Sequence, residues 1–527
     1  MQAFFAGLVA RRWLILVLAL GVVAGGVLNL RGFEVDAVPD ISPKQVMVLT
    51  QATGLGPLEV ERLVTVPVEY SMAGLPGLKS VRSTSRFGLS AVYVTFEEAT
   101  DLPIARSMVM ERLTQARETM PLGVGSPQMG PIATGLGEVY QFEVRGPGHT
   151  PMELRQILQW TIAPKLRLVP GITDVNIYGG QMRTFEVRIG ADALRAHNLT
   201  MPQVFQALSD NNATRGGAYL TRGDEQVVVR GMALAQTAAD IAGIVLQTGP
   251  DGVPLTIGGL GEVVEAPKVR LGAVTHDDRG ETVVGVALMQ YGNNASQVIT
   301  GLKAAVGEIG KQLPPGIELR PYYDRSDLVA RTISTVEHNL AEGAVLVVGV
   351  LLLMLGNLRA GLIVACAIPI SMLMAFAGMK ALGISGNLMS LGAIDFGLVV
   401  DGAVVMIENV LHRQAVAARN GAGKDDPGKV AWVAAAEVAR PVAFGVLIIS
   451  MVYLPVLALQ GVEGKMFRPM AIAVMLALLS SLLVTILVMP ALAAAFLGDK
   501  TPKETWLVRK ARAGYAPCWP GRSGIRC

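Results

Sequence analysis

Three carboxylates lie in one apolar stretch of the chain, Asn387 to His412, which reads NLMSLGAIDFGLVVDGAVVMIENVLH. The pattern predicts one long helix that carries Asp395, Asp401 and Glu408. At about 100° per residue, the step from Asp401 to Glu408 returns to within roughly 20° of the same face, about 10 Å further along the axis. By the same arithmetic, Asp395 lies about 120° away around the helix.

The cost of burying these acids indicates what they could do. A carboxylate at bilayer depth costs about 3 kcal/mol on insertion scales, so such residues usually line a bundle interior or a path for protons or ions. The alternative is a soluble helix with three surface acids, but its LVV and AVVMI segments would then be exposed to water on all sides. The sequence therefore favours acids that act inside a membrane.

The same window carries a family resemblance. DFGLVVDGAVVMIEN is similar to the fourth transmembrane helix of the heavy-metal efflux branch of the resistance-nodulation-division (RND) transporters, where DFG is followed by DGA and then by EN. In that family these acids form the proton relay that drives export, which implies this role for Asp395, Asp401 and Glu408. The resemblance extends over nearly the whole chain, up to about Lys510, but the family's proteins are about twice as long.

Composition excludes several other classes of protein. Of the 527 residues, 51% are hydrophobic and 17% are charged, with a mean hydropathy of +0.45, so we expect both membrane-embedded and water-exposed parts. The net charge of +3 gives no indication of nucleic-acid binding. Cys366, Cys518 and Cys527 form no CxxC pair, so neither a disulfide framework nor a thiolate metal site is indicated. The sequence has no P-loop motif for a nucleotide, so ATP is not expected to be the energy source.

Six apolar runs are long enough, or nearly so, to cross a hydrocarbon core of about 30 Å. They are Trp13–Leu30, Gly343–Leu358, Ala360–Met379, the acid-bearing stretch, Pro441–Val462 and Pro469–Gly498. No clear small-x-small cleavage site follows the first run, so it is interpreted as a membrane helix and not as a signal peptide. Lysine and arginine are concentrated in the loops on one side, and the positive-inside rule places both termini in the cytoplasm of a bacterial inner membrane protein.

These runs predict four regions. They are the first transmembrane helix (residues 1–31), a periplasmic porter and docking region (32–337), transmembrane helices 2–6 (338–498) and a cytoplasmic tail (499–527). The predicted fold class is thus a membrane bundle of six helical spans with a large α+β periplasmic domain. By resemblance, this is the layout of half an RND transporter.

The periplasmic region alternates strands with amphipathic helices. From KQVMVLTQA to LPIARSMVMERLTQARETM the order is β-α-β-β-α, which predicts a ferredoxin-like subdomain. The order recurs from YQFEVRG onward, with TDVNIYGG and RTFEVRIG as the next two strands, and predicts a second subdomain of the same kind. Gly-rich short strands between about Asn211 and Val264 are interpreted as an insertion, which the resemblance identifies as a docking subdomain.

The resemblance implies a divalent metal cation as the substrate and a proton as the coupling ion, with no cofactor. The DFG and DGA motifs are similar to those of the subgroup for zinc, cobalt, cadmium or nickel, whereas the copper and silver subgroup shows a GAMVDAA pattern. In zinc exporters of the family, acids at the positions of Glu138 and Asp174 help to form a periplasmic metal site, although two surface carboxylates on strand ends remain an equal alternative. The cluster of His276, Asp277 and Asp278 is predicted to be a solvated turn.

The family also implies partners: the pump is a homotrimer joined to a periplasmic adaptor protein and an outer-membrane channel. Such a transporter repeats the six-span unit, but here the repeat does not follow, which predicts a truncated chain. Two other classes are therefore considered, namely a fragment that inserts but does not transport, and an intramembrane aspartyl protease. A protease needs two carboxylates facing each other across a site, whereas Asp395 and Asp401 lie on one helix, about 9 Å apart along its axis. We therefore predict a secondary transporter and not an enzyme.

Overall fold

A computed structural model describes residues 2–30, 33, 35–36, 39–121, 124–231, 234–249, 252–270, 272–419, 427–497 and 510. The chain divides into two compact units. Unit 1 comprises Met1–Val139, Met289–Thr300 and Asp324–Cys527, and unit 2 comprises Tyr140–Leu288 and Gly301–Tyr323. Apart from Lys510, the predicted tail 499–527 lies outside the described residues.

The helices, in chain order, are α1 (Gln2–Ala10), α2 (Arg12–Leu30), α3 (Pro57–Val60), α4 (Val66–Met72), α5 (Leu102–Glu118), α6 (Pro151–Ile157), α7 (Ala163–Leu166), α8 (Ala191–Ala196), α9 (Met201–Asn211), α10 (Ala238–Ala242), α11 (Ile257–Leu260), α12 (Ala295–Gly310), α13 (Arg325–Leu355), α14 (Leu358–Ala365), α15 (Ala367–Ala381), α16 (Leu388–Gly392), α17 (Phe396–Arg419), α18 (Pro427–Leu457), α19 (Gly461–Leu483) and α20 (Met489–Phe496). Single π-helical turns join α3 to α4, α6 to α7 and α19 to α20.

The strands, in chain order, are β1 (Gln45–Gln51), β2 (Leu78–Arg86), β3 (Leu89–Phe96), β4 (Gln128–Met129), β5 (Glu138–Arg145), β6 (Ile172–Gly179), β7 (Arg183–Ile189), β8 (Arg215–Arg222), β9 (Glu225–Gly231), β10 (Val245–Thr248), β11 (Pro254–Thr256), β12 (Gly261–Pro267), β13 (Val283–Met289) and β14 (Glu318–Asp324). They form two four-stranded sheets and three two-stranded ones.

Six helical segments of the described chain are long and apolar enough to cross a membrane, which confirms the predicted number. They are Arg12–Leu30, Arg325–Leu355, Leu358–Ala381, Leu388–Val416, Gly428–Leu457 and Gly461–Phe496. The second begins well before the apolar run at Gly343, because α13 continues through a charged N-terminal half. The short helix α1 was not predicted, yet its Phe5 is fully buried in the same core as the membrane helices.

Small side chains dominate the contacts of this membrane core. Alanines from five helices are almost completely buried in it, namely Ala360, Ala367, Ala403, Ala434 and Ala477. Inside a bilayer no hydrophobic force drives helices together, so their association depends on close packing, and small residues let the helix backbones approach closely. Close van der Waals packing of small side chains therefore holds the helices of unit 1 together, as expected inside a bilayer.

The first sheet confirms the predicted ferredoxin-like subdomain. Its strand order is β2-β3-β1-β4, with β1 antiparallel to both β3 and β4 and β2 antiparallel to β3. Alternate residues of β1 and β3 are buried, and they pack on the helices between the strands, with Val46, Val94, Val68 and Val109 in one apolar core. This half-buried alternation follows from the two-residue period of a strand.

The second sheet has the same arrangement, with one correction. Its strand order is β14-β5-β13-β6, so its third strand in the chain is β13 and not β7. The prediction that TDVNIYGG and RTFEVRIG are successive strands of this subdomain is wrong, because β7 pairs with β12 in a sheet of its own. Gly179 and Gly180 follow one another at positive φ (72° and 64°), and this turn directs the chain away from the sheet. The insertion therefore begins at β7 and not near Asn211.

Candidate functional site

Asp401 and Glu408 lie on the same outward face of α17. Both are exposed, as are Val405 between them and His412 one turn beyond. The opposite face is buried in the membrane core through Val399, Val400, Ala403, Met406, Ile407, Val410 and Leu411. The helix is thus strictly two-sided, and its acids occupy the side that the described part of this chain leaves uncovered. No ion pair to either carboxylate occurs within the described residues.

Asp395 does not lie on this helix. The prediction of one continuous helix from Asn387 is wrong, because α16 ends at Gly392 and α17 begins at Phe396. Asp395 occupies the break, where its Oδ1 accepts a hydrogen bond from the backbone N–H of Gly397 at 2.8 Å. Aspartate favours this capping position because it satisfies an N–H group that has no partner inside the helix.

Gly402 brings α17 close to its neighbours directly beside Asp401. A Cβ atom built on Gly402 would lie 2.9 Å from Val442 Cγ1 on α18 and 3.2 Å from Thr485 Oγ1. Thr485 is in the π-helical turn before α20, and its buried hydroxyl has no hydrogen-bond partner among the described residues. On the same side of α17, the Ser481 hydroxyl donates to the Val399 carbonyl. The glycine of the DGA motif is therefore a packing requirement.

We expect Gly402→Leu to destabilise the membrane bundle by about 1–3 kcal/mol, because a larger side chain must displace a β-branched valine and a buried threonine. The measurement is thermal unfolding of the purified chain in lipid nanodiscs. Gly445→Leu on α18 is the matched control, since nothing lies within 4 Å of a Cβ built there. Equal unfolding temperatures for the two variants would contradict the packing role of Gly402.

Asn409, the last residue of the EN motif, joins α17 to α18. Its side-chain nitrogen donates to the Ala434 carbonyl at 3.0 Å and to Glu437 Oε2 at 3.2 Å. Arg413, one turn further, pairs with the same glutamate through Nε at 3.1 Å. The motif therefore combines an outward acid, Glu408, with an inward amide that fixes the helix in place.

The two acids proposed from the family pattern as metal ligands lie in different units. Glu138 is half-buried at the first position of β5, directly after a single 3-10 turn, and belongs to unit 1. Asp174 lies inside β6 in unit 2, where its Oδ1 accepts from Arg167 Nε at 2.7 Å. A metal ion would have to compete with this arginine. Among the residues that the structure describes, no group of three or more His, Cys, Asp or Glu side chains is arranged to hold a metal.

A buried polar network around Glu143 was missed by the sequence analysis. Glu143 on β5 accepts from Thr282 Oγ1 at 2.6 Å, from Arg145 Nε at 2.6 Å, and contacts His276 Nδ1 at 2.8 Å. The prediction of a turn at His276 is correct, and Asp277 there has a positive φ of 49°. The turn is solvated at Asp277 and Asp278, which are both exposed, whereas the imidazole of His276 faces the buried carboxylate of Glu143. In β5 the apolar Tyr140, Phe142 and Val144 alternate with Gln141, Glu143 and Arg145, so the two-residue period places Glu143 on the polar face and does not signal its burial.

Stability of this network should depend on pH through Glu143. Burial acts to raise the pKa of Glu143, but hydrogen bonds from Thr282, Arg145 and His276 outweigh it and hold the pKa below the ordinary value of 4.5. A depressed folded pKa gives stability that is present above the unfolded pKa and is lost as pH falls towards the folded one. We therefore expect the unfolding temperature to fall as the pH is lowered through about 4.5, and this component to vanish in Glu143→Gln. An identical pH profile for both proteins would contradict the assignment.

Comparison with known proteins agrees with this architecture. Residues 4–518 match the model of the AcrB/AcrD/AcrF family. The chain is 42% identical over 522 residues to the cobalt-zinc-cadmium resistance protein CzcA of Cupriavidus metallidurans, covering 97% of this chain and 49% of that protein. It is 34% identical over 505 residues to the cation efflux system protein CusA of Escherichia coli K12, covering 94% and 48%.

Solved structures give the same result. A crystal structure of a heavy metal efflux pump matches with a TM-score of 0.85 and 35% identity, covering 97% of this chain and 49% of that one. The chain spans about half the length of the curated relatives that it matches. With six spans, two ferredoxin-like sheets and the acid-bearing helix all in place, the chain belongs to the AcrB/AcrD/AcrF family and, as its sequence predicted, resembles the heavy-metal efflux branch of the RND transporters.

Proposed function

We propose that this chain serves in the proton-driven export of divalent heavy-metal cations, with zinc, cobalt, cadmium and nickel as the substrate class. The observation that carries the proposal is the pair of carboxylates, Asp401 and Glu408, on one outward face of a membrane helix whose other face is fully packed. An acid in this position can take up and release a proton without unpacking the core. The named relatives support the metal: CzcA is described as a cobalt-zinc-cadmium resistance protein and CnrA as a nickel and cobalt resistance protein.

Protonation of Asp401 is the energy-coupling step in this proposal. A charged carboxylate favours contact with water or a cation, whereas the protonated form tolerates an apolar surrounding. Because Gly402 beside it is in close contact with α18 and Thr485, a backbone movement of α17 that follows protonation of Asp401 would alter the packing of these helices. Glu408 and Asp395 would pass the proton on either side of Asp401.

The metal would be bound outside the membrane by carboxylates. Zinc accepts carboxylate oxygens of Asp and Glu as well as nitrogen and sulfur ligands, and Glu138 and Asp174 are the acids that we propose for this role. In the described structure Asp174 is held by Arg167, so metal binding would require that ion pair to open. The remaining ligands would come from parts of the protein beyond this chain.

We further propose a place for the chain in the cell. It would lie in the bacterial inner membrane with both termini in the cytoplasm, because lysine and arginine are concentrated in the loops on one side. It would act within a homotrimer, joined to a periplasmic adaptor protein and an outer-membrane channel. Cross-linking in cells, followed by purification of the chain, tests this assembly.

Metal tolerance tests the proposed function. The chain is expressed in a metal-sensitive host, and growth is compared with that of the empty vector across zinc, cobalt, cadmium, nickel and copper. We expect protection against at least one of the first four ions and none against copper. Membrane insertion without protection against any ion would overturn transport by this chain. That outcome would support the second candidate, a non-transporting form.

A further inference from the structure

A buried arginine stands where the second membrane span begins. Arg325 is the first residue of α13, and it is only 5% exposed. Its Nη2 donates to both carboxylate oxygens of Asp36, at 2.9 Å and 3.0 Å, and its Nη1 donates to the Leu136 carbonyl. A buried guanidinium is tolerated only when its donors are satisfied in this way, and the contact to a carboxylate is among the stronger hydrogen bonds. The arginine therefore joins three segments that are distant in the sequence.

One of these segments leads to the acid-bearing helix. The backbone N–H of Asp36 donates to the Gly386 carbonyl at 2.9 Å, and Val35 forms a parallel bridge with the same glycine. Gly386 directly precedes Asn387, whose buried side chain caps α16 through the N–H of Ser390. From there the chain runs through α16 and the break at Asp395 into α17. The position of Asp36 is thus tied to the start of the segment that carries the proposed proton relay.

The segment that contains Leu136 leads to Glu138, the proposed metal ligand. Leu136 lies in the 3-10 turn Gly135–Gly137, two residues before Glu138. The turn itself is closely packed, since a Cβ built on Gly137 would lie 3.0 Å from the Met289 carbonyl. A shift of Arg325 that moves the Leu136 carbonyl must therefore move the backbone next to Glu138. All these residues belong to unit 1.

The junction also has room to rearrange. A cavity of about 400 Å³ borders it and is lined in part by Asp36, Leu136, Gly137, Arg325 and Ser385. Each segment of the junction contributes to this wall. A closely bonded junction beside open space can take up a second arrangement without expelling packed side chains.

We propose that Arg325 is a positioning residue that couples the acid-bearing helix to Glu138. Through Asp36 it follows movements of the α16–α17 segment at Gly386, and through the Leu136 carbonyl it passes them to the first residue of β5. The inference rests on the proposed roles of Asp401 and Glu138. Spatial connection alone does not establish coupling, so the test must measure whether a change at one end alters the other only when Arg325 is present.

A double-mutant cycle read by hydrogen exchange provides this test. Four proteins are compared in nanodiscs: the native chain, Asp401→Asn, Arg325→Met and the double variant. Amide exchange is followed in residues 134–139. With Arg325 in place, we expect Asp401→Asn to change the exchange rates there by about fivefold, the lower end of allosteric coupling. With Arg325→Met, the same replacement should change them by less than about twofold. An unchanged response in Arg325→Met, or no response with Arg325 present, overturns the proposal.

The controls separate coupling from general destabilisation. Lys465 on α19 makes a comparable tie to another extramembrane segment, donating to the Ser42 carbonyl at 2.5 Å and pairing with Glu98 at 2.9 Å. Lys465→Met should leave the response to Asp401→Asn intact. If Arg325→Met does not fold, Asp36→Asn and Arg325→Lys replace it, and each should weaken the response, since neither keeps the guanidinium–carboxylate pair. An intact response in both of these variants also overturns the proposal.

The readout needs neither metal nor transport. A chain that gives no metal protection but shows the Arg325-dependent response would refute the proposed function and retain the coupling. A chain that protects cells while Arg325→Met leaves the response intact would support the proposed function and refute the coupling.

Discussion

Replacing Asp401 by asparagine is expected to reduce metal protection to the level of the empty vector. Asparagine has nearly the same shape as aspartate but cannot exchange a proton, so the variant keeps the folded bundle and holds this position in an uncharged form. Because Gly402 and the buried face remain as they are, membrane insertion and abundance should match those of the native chain. The measurement is growth at graded metal concentrations, with membrane abundance determined in parallel. Glu408→Gln is expected to lower protection less, since it lies two turns further along the same face.

Glu437→Gln is the matched control for Asp401→Asn. It also neutralises one exposed carboxylate in the bundle, but this carboxylate is already engaged by Arg413 and Asn409. An exposed pair of this kind contributes at most about 1 kcal/mol to stability. Protection that survives Asp401→Asn, or that is lost equally in Glu437→Gln, would contradict a proton-carrying role for Asp401.

The second large effect is expected in unit 2, where Glu143→Ala should destabilise the fold by about 3–5 kcal/mol. The substitution removes the one acceptor shared by Arg145, His276 and Thr282 and leaves a partly buried guanidinium without its carboxylate. Breaking a buried ionic network from one side costs far more than the net value of the pair, because the remaining charge stays desolvated. Thermal unfolding of the purified chain, followed by hydrogen exchange in β5 and β13, measures the effect.

Glu265→Ala serves as the control in the same unit. Glu265 on β12 pairs with Arg183 on β7 at 2.5 Å, but both side chains are well exposed to solvent. Its removal should cost no more than about 1 kcal/mol. If both alanine variants unfold at the same temperature, the network around Glu143 does not have the structural importance that its burial indicates.

The sequence predicted the membrane part of the fold well because its signals are local and strong. Apolar runs of sufficient length locate the spans, and a seven-residue step places Asp401 and Glu408 on one face of α17 without any tertiary information. Local capping chemistry then overrides the apolar pattern at Asp395, whose carboxylate satisfies the Gly397 N–H at the start of a new helix. The apolar period continues through this break, so hydropathy alone does not reveal it.

Strand pairing was harder to predict because it is non-local. The two runs that flank Gly179 and Gly180 are neighbours in sequence, and strand propensity assigns both correctly. Their partners are distant, since β13 begins 104 residues after the end of β6 and β12 begins 72 residues after the end of β7. The glycine pair signals a turn, but a turn can lead back to the same sheet or away from it. Only the completed order β14-β5-β13-β6 shows that β7 belongs to the insertion.

The long-range polar contacts of Arg325 and of Glu143 were beyond any local pattern. Arg325 and Asp36 are separated by 289 residues, and Glu143 and His276 by 133. Nothing in the immediate surroundings of these residues distinguishes them from surface charges. The site acids, by contrast, were found because charged residues are conspicuous in an apolar helix.

Metal flux in reconstituted vesicles tests the central claim most directly. The chain is incorporated into proteoliposomes with a metal-sensitive dye inside, and metal movement is followed under an imposed pH gradient, its reversal, and its collapse by a protonophore. We expect zinc, cobalt, cadmium or nickel to move against the direction of proton flow, to reverse with the gradient and to stop when the gradient is collapsed. Asp401→Asn should show no gradient-dependent movement. Metal movement that is independent of the pH gradient, or the same in Asp401→Asn, would contradict proton-driven export by this chain.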